Sequence, residues 1–165
     1  YLLSTASIGS DVSGATAVLT GNAAGDYFGW EMSHEGTSMM ATAPNASVGG
    51  IHNGAAYLFN LLTPGEQSAA SADVIFVGEQ SGEQAGWSLA RADFNADGLS
   101  DVAIGSPYHS TTSYEGQVSL SFAPFGPVVP LSAADGSWRG DIEDTNLGFS
   151  CFLRQYHSHK FFIYD

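Results

Sequence analysis

The residues best equipped for chemistry lie in one short stretch, Asp93-Phe94-Asn95-Ala96-Asp97-Gly98-Leu99-Ser100-Asp101. Side-chain oxygens alternate at its first, third and fifth positions, so three of them can turn inward around one ion. Gly98 at the sixth position permits the sharp bend of a calcium loop of the EF-hand kind, and Leu99 at the seventh offers its backbone carbonyl. Asp101 at the ninth can ligate directly or through a water. Oxygen donors without His or Cys favour Ca2+ over Mg2+, which demands a tighter octahedron and keeps more of its own water. A complete EF-hand loop has Glu at its twelfth position, where this chain has Ile104, and the flanking SLARA and VAIGSP read as strands rather than helices. The bland alternative is a solvated Asp/Asn turn, which five matched positions outweigh. The expectation is one calcium site between two strands, with Asp93, Asn95, Asp97, the Leu99 carbonyl and Asp101 as donors. Without the ion three carboxylates would repel one another. With it the loop is pinned and its strands are set in register, so the role expected of calcium is structural.

The elements that must position this loop repeat along the chain. Gly21, Gly29 and Trp30 recur as Gly78, Gly86 and Trp87, shifted by 57, and these recur as Gly140, Gly148 and Phe149, shifted by 62. Gly54 in GAAYLF matches Gly116 in GQVSLSF, and Ala72-Asp73 matches Ala134-Asp135, both shifted by 62. Almost all of the difference between the two periods falls between Gly86 and Pro107, about six residues that coincide with DFNADG. The earlier copy has Ser33-His34-Glu35-Gly36 there and keeps no ligand spacing.

Within each copy the runs SMMATA, AAYLF, DVIFV, SLARA, DVAIG and QVSLSF are short, apolar or alternating, and bounded by Gly, Pro, Asn and Ser. No segment carries a 3.6-residue apolar stripe with caps. Tyr1-Leu2-Leu3 stands about 57 residues before Tyr57-Leu58-Phe59, as though the chain opened inside an earlier unit. The fold expected is all-β, built of four-stranded antiparallel units repeated as the blades of a β-propeller. The units are 1–20, the end of a preceding blade; 21–77, without a calcium loop; 78–139, with one; and 140–165, the start of a third with a divergent end.

Composition narrows the function. At 165 residues the chain is of single-domain size, and 4 basic against 17 acidic residues give it a formal charge of −13. Both surplus and location matter: residues 1–150 hold two of the basic side chains, Arg91 and Arg139. Such a body repels phosphate backbones and excludes nucleic acid as the expected partner, while it suits divalent cations. No apolar run approaches a membrane span, and no signal peptide is visible. Tyr1 in first place fits a mature form or a fragment. A single cysteine, Cys151, excludes an internal disulfide framework and a cysteine-based zinc site.

F-G-W at 28–30, A-G-W-S at 85–88 and L-G-F-S at 147–150, with D-x-N-x-D-G-x-x-D and G-S-P at 105–107, resemble the FG-GAP repeat of integrin α-subunit propellers. Ala43-Pro44 is the reduced form of the last motif in the first copy. The likeness covers about residues 1–150, with the second copy the best match. It implies that Asp93, Asn95, Asp97, Leu99 and Asp101 are the repeat's calcium ligands. It also implies a non-catalytic extracellular or cell-surface module that binds a protein or cell-surface ligand, often in adhesion, with further blades in the parent chain. The alternative is an accessory propeller of a secreted enzyme, such as a glycosylphosphatidylinositol-specific phospholipase D-like hydrolase.

The chain departs from the repeat after Ser150, where CFLRQYHSHKFFIYD is more basic and more aromatic. Two copies and a start also fall short of the four blades of a closed propeller, so an incomplete propeller is expected. Weaker signals are His157-x-His159 as metal ligands and Asn45-Ala46-Ser47 as an N-glycosylation sequon, the latter meaningful for a secreted eukaryotic chain. Trp30, Trp87 and Phe149 are expected to pack blade against blade. No G-x-S-x-G elbow or triad spacing occurs, and Cys151 has no placed basic partner.

Overall fold

The computed structural model describes residues 2–3, 15–110, 115–140 and 147–150. Its strands are β1 (Leu2–Leu3), β2 (Ala15–Thr20), β3 (Met32–Glu35), β4 (Ser38–Ala43), β5 (Ser47–Val48), β6 (Ile51–His52), β7 (Ala55–Phe59), β8 (Gly65–Ser68), β9 (Val74–Val77), β10 (Ser88–Ala92), β11 (Asp101–Ser106), β12 (Gln117–Ser121), β13 (Val128–Pro130) and β14 (Gly136–Arg139). Two 3-10 turns, Ala69–Ser71 and Leu131–Ala133, complete the elements. Among the described residues no helix is long and apolar enough to cross a membrane.

Two up-and-down antiparallel sheets carry the fold, β3-β4-β7-β9 and β10-β11-β12-β14. Each begins with the strand nearest the chain start and ends on an outer strand, as in a propeller blade. The inner strands are covered on both faces: every residue of β7, β11 and β12 is buried, and so is all of β4 after Ser38. Their Ala, Ser and Gly content lets neighbouring sheets come close. Met40, Leu58, Val74 and Phe76 of the first sheet meet Val102 and Ile104 of the second in one core cluster. Tyr57 and Phe59 pack on the first sheet's other face with Leu19 of β2. The described sheets follow one another in open succession, an all-β, incomplete propeller.

The difference in period is visible as a difference between two hairpins. β3 and β4 are joined by two residues, Gly36 and Thr37, whereas β10 and β11 are joined by the eight residues 93–100. The extra six residues thus leave both ladders intact, Ala92 pairing Asp101 as Glu35 pairs Ser38.

Several strands of the structure have no counterpart among the runs singled out in the sequence, and two of them reach into the neighbouring unit. β8 runs parallel to β2, and β13 runs parallel to β9. Each lies between the third and fourth strands of its own sheet and reaches back to the outer strand of the preceding unit. A 3-10 turn follows at once, and its first residue, Ala69 or Leu131, is buried in the core cluster beside that unit. The units are therefore joined by backbone pairing as well as by apolar contact.

At the inner ends of the sheets the contact is between backbones. Gly54 bridges Ala85, and Gly116 bridges Leu147, each in parallel sense. Gly54 has φ 77°, and an added Cβ there would overlap the Ala85 carbonyl and stand 2.9 Å from that of Pro44. Gly54→Ala is expected to destabilise the protein by about 2–5 kcal/mol, from strain in the left-handed region and overpacking together. A urea midpoint that fell by less than about 0.5 kcal/mol equivalent at unchanged slope would contradict this close contact.

Arg91 sits across the same junction. Its Nη2 lies 3.4 Å from Glu35 Oε2 and 3.2 Å from Ser38 Oγ, while Nε and Nη1 are buried without a hydrogen-bond partner. Burial holds the guanidinium below its ordinary pKa, and the Glu35 carboxylate offsets part of that shift. Because Glu35 is exposed, losing the pair strands no buried charge. Arg91→Met is expected to unfold within about 1 kcal/mol of the parent or above it, measured by the same urea midpoints.

Candidate metal centre

The Asp93–Asp101 loop is held by its own side chains. Asp93 Oδ1 accepts the Asp97 N–H at 3.0 Å and its Oδ2 accepts the Gly98 N–H at 2.8 Å. Asn95 Oδ1 accepts from Asp97 N at 3.0 Å, and Asp97 Oδ1 accepts from Leu99 N at 2.8 Å. Asn95 Nδ2 donates to Asp97 Oδ2 at 3.0 Å. Short polar side chains that bond backbone a few residues ahead make this kind of turn. Two residues in the left-handed region, Ala96 at φ 64° and Gly98 at φ 88°, complete the bend.

Asp101 differs from the rest. It is the first residue of β11 and fully buried, with Oδ2 accepting from Phe94 N at 2.8 Å and Oδ1 from Ala123 N at 3.0 Å. It therefore ties both the loop and the segment after β12 to the start of its own strand. Asn95, Asp97 and Leu99 are exposed, and Asp93 lies between these extremes.

The chemistry of the donor set fits a hard divalent cation. Asp93, Asn95 and Asp97 place side-chain oxygens in one loop, and each carboxylate oxygen used here accepts one N–H, which leaves it a lone pair. Among the described residues no three His, Cys, Asp or Glu side chains are drawn together as a metal-holding group. Like charges repel in such a space, and the backbone N–H groups take the carboxylates instead. Asp93, Asn95, Asp97, the Leu99 carbonyl and Asp101 are the groups that would hold Ca2+, which would supply charge neutralisation and a fixed loop geometry.

The other expected residues fall elsewhere. Asn45 is half-buried in the turn after Pro44, where its Oδ1 accepts from Gln84 Nε2 at 3.1 Å. Trp30 and Trp87 pack with ring centroids 4.7 Å apart, Trp87 and Phe149 at 5.3 Å, and Trp30 Nε1 donates to the Trp87 carbonyl at 3.1 Å. These rings do join successive units, and they do so at the surface, since Trp30 and Phe149 are exposed. Cys151, His157 and His159 lie outside the described residues.

One buried pair escaped the sequence reading. His109 Nδ1 lies 2.7 Å from Glu83 Oε2, and both side chains are at most 2% exposed. The 57-residue shift does place Glu83 opposite Asp26, but no motif marks His109 as its partner.

The burial of Asp101 separates its role from that of the exposed donors. With a chelator present, Asp101→Ala is expected to cost about 2–3 kcal/mol, for two partly buried N–H groups lose a buried charged acceptor. Asp97→Ala under the same conditions is expected to cost less than about 1 kcal/mol. Equal losses in the two variants, by urea unfolding, would show that Asp101 is no more than another loop donor.

The FG-GAP repeat model matches residues 85–121, which run from the bridge residue Ala85 through β10, the loop and β11 to the end of β12. No curated protein is similar enough to count as a match. The stretch matched is the one whose hairpin bears the oxygen-rich loop, so residues 85–121 carry the likeness to an FG-GAP repeat.

Proposed function

We propose that the chain is a calcium-stiffened, non-catalytic binding module of the integrin α-subunit propeller type, acting outside the cell or at its surface on a protein or cell-surface ligand. The observation that carries this reading is the donor-rich loop at the β10–β11 hairpin of the matched repeat. Asp93, Asn95, Asp97, the Leu99 carbonyl and Asp101 are its calcium ligands, and Asn45 is its candidate glycan acceptor. Residues 1–20 are the end of a preceding blade, 21–77 and 78–139 are blades without and with the calcium loop, and 140–165 are the start of a third with a divergent end, with further blades supplied by the parent chain. The strong negative charge supports a cation-dependent surface and disfavours nucleic acid.

The neighbouring unit supports the division of labour. Its β3–β4 hairpin closes with two residues that offer no donor loop, and it holds the same ladder as β10–β11. In the second unit the ion would instead fix the long loop above the strands, which makes it a stabiliser of a surface feature. Loops on a rigid sheet are where binding residues collect.

Calorimetric titration of Ca2+ into metal-free protein tests the proposal, with thermal unfolding followed in parallel. One site is expected, with a Kd of about 0.1–1 mM as in extracellular calcium modules. At a hundredfold excess over Kd the stabilisation is about 2.7 kcal/mol. Asp97→Ala should abolish both responses, and Mg2+ at equal concentration should produce neither. Folded parent protein with no heat of binding and no rise in Tm would defeat the calcium assignment.

A further inference from the structure

The two units hold the same backbone corner and fill it differently. In the first, Asn45 N donates to Asp26 O at 3.2 Å, Ala46 N to Ala43 O at 3.0 Å and Gly54 N to Ala46 O at 3.0 Å. In the second, Tyr108 N donates to Glu83 O at 3.2 Å, His109 N to Ser106 O at 3.1 Å and Gly116 N to His109 O at 3.0 Å. Residue by residue, then, Asp26 stands where Glu83 stands, and Ala46 where His109 stands. In the second unit the imidazole of His109 fills the corner and meets the Glu83 carboxylate. In the first unit Ala46 supplies only a methyl group there, and a cleft of about 150 Å3 opens beside it. Asp26, Asn45, Ala46, Ser47, His52 and Tyr57 are among its lining residues.

We propose that this cleft is a binding site for a small planar nitrogen base of the imidazole type. Its volume is that of an interior cavity of roughly 150 Å3 that accepts a single six-membered ring, and this cleft is in addition open to solvent on one side. The walls offer both kinds of contact that such a ring needs. Ala46 and the buried Tyr57 ring give apolar surface, and Asp26, whose backbone carbonyl is placed as that of Glu83 is, gives a carboxylate. That carboxylate is fixed in advance: Oδ2 accepts from Asn22 N and Ala23 N, both at 3.1 Å, and Oδ1 accepts from Phe28 N alone at 2.9 Å. Oδ1 thus keeps a lone pair for an N–H donor. An acceptor held in position loses little freedom when the ligand arrives.

The site is independent of the calcium loop. It lies where β4 ends, whereas the loop lies where β11 begins, at opposite ends of equivalent strands in different units. The calcium reading and this one therefore stand or fall separately.

The test is a titration of the whole 165-residue chain, labelled with 15N, with imidazole alone as the probe at constant pH. Saturable shifts are expected at the amides of Asp26, Ala46 and Ser47. Ala46→His, which copies the second unit, should raise Tm and weaken the imidazole response at least tenfold. Should Ala46→His disturb the fold, Ala46→Val blocks the same space and is expected to weaken the response likewise. Conversely, His109→Ala should open a second corner and add saturable shifts at Glu83 and Ser110. The proposal is overturned by shifts that grow linearly without saturation at Asp26, Ala46 and Ser47. It is equally overturned by an unchanged response in a folded Ala46 variant.

Discussion

Successive sheets in this protein touch through their backbones, and that contact governs what can be built around it. Gly54 abuts Ala85, and a Cβ placed on Gly86 would stand 2.8 Å from the Ala55 carbonyl. The same arrangement returns one unit later, where a Cβ on Gly148 would stand 2.7 Å from the Gln117 carbonyl. Side chains are excluded at these points, so glycine recurs there for a steric reason. With the inner ends fixed at backbone distance, the flanking strands must also carry small residues. The Ala, Ser and Gly of β4, β7, β11 and β12 meet that demand. Trp30, Trp87 and Phe149 then close the junction from outside.

This constraint explains which parts were legible in the sequence. β4, β7 and β10 coincide with SMMATA, AAYLF and SLARA, and β11 with DVAIG extended by Ser106, because bounded apolar runs between turn residues write the central ladder directly. The eight-residue hairpin was legible because the repeat supplied a reference copy lacking it. β8 and β13 were not, since GEQS and VVP show no alternation and their partners lie in the preceding unit. A parallel pairing of this kind leaves no local pattern.

The oxygen-rich loop was readable as a donor set for a related reason: alternate spacing is a local property. Half of what Asp101 does was not readable, because the Ala123 amide it holds is 22 positions away and carries no side chain to signal the contact. The pairing of Glu83 with His109 was hidden likewise, by a separation of 26 positions. A hairpin that grows from two residues to eight costs little in loop entropy, so an insertion here is an inexpensive way to vary one unit on a fixed frame. Asp101 limits that freedom, since it fastens the insertion to the strand that follows.

The backward reach of β8 and β13 has a consequence for synthesis. The outer strand β9 is finished at Val77, yet the strand that covers its edge begins at Val128, about fifty residues later. At translation rates of about 5–20 residues per second, that edge waits roughly 3–10 s for its partner. During the wait the nascent chain displays unpaired N–H and C=O groups, the template on which neighbouring chains can add. Each unit thus protects its predecessor on the ribosome, and the assembly line has a direction: it closes from the amino-terminal side, one sheet behind the point of elongation.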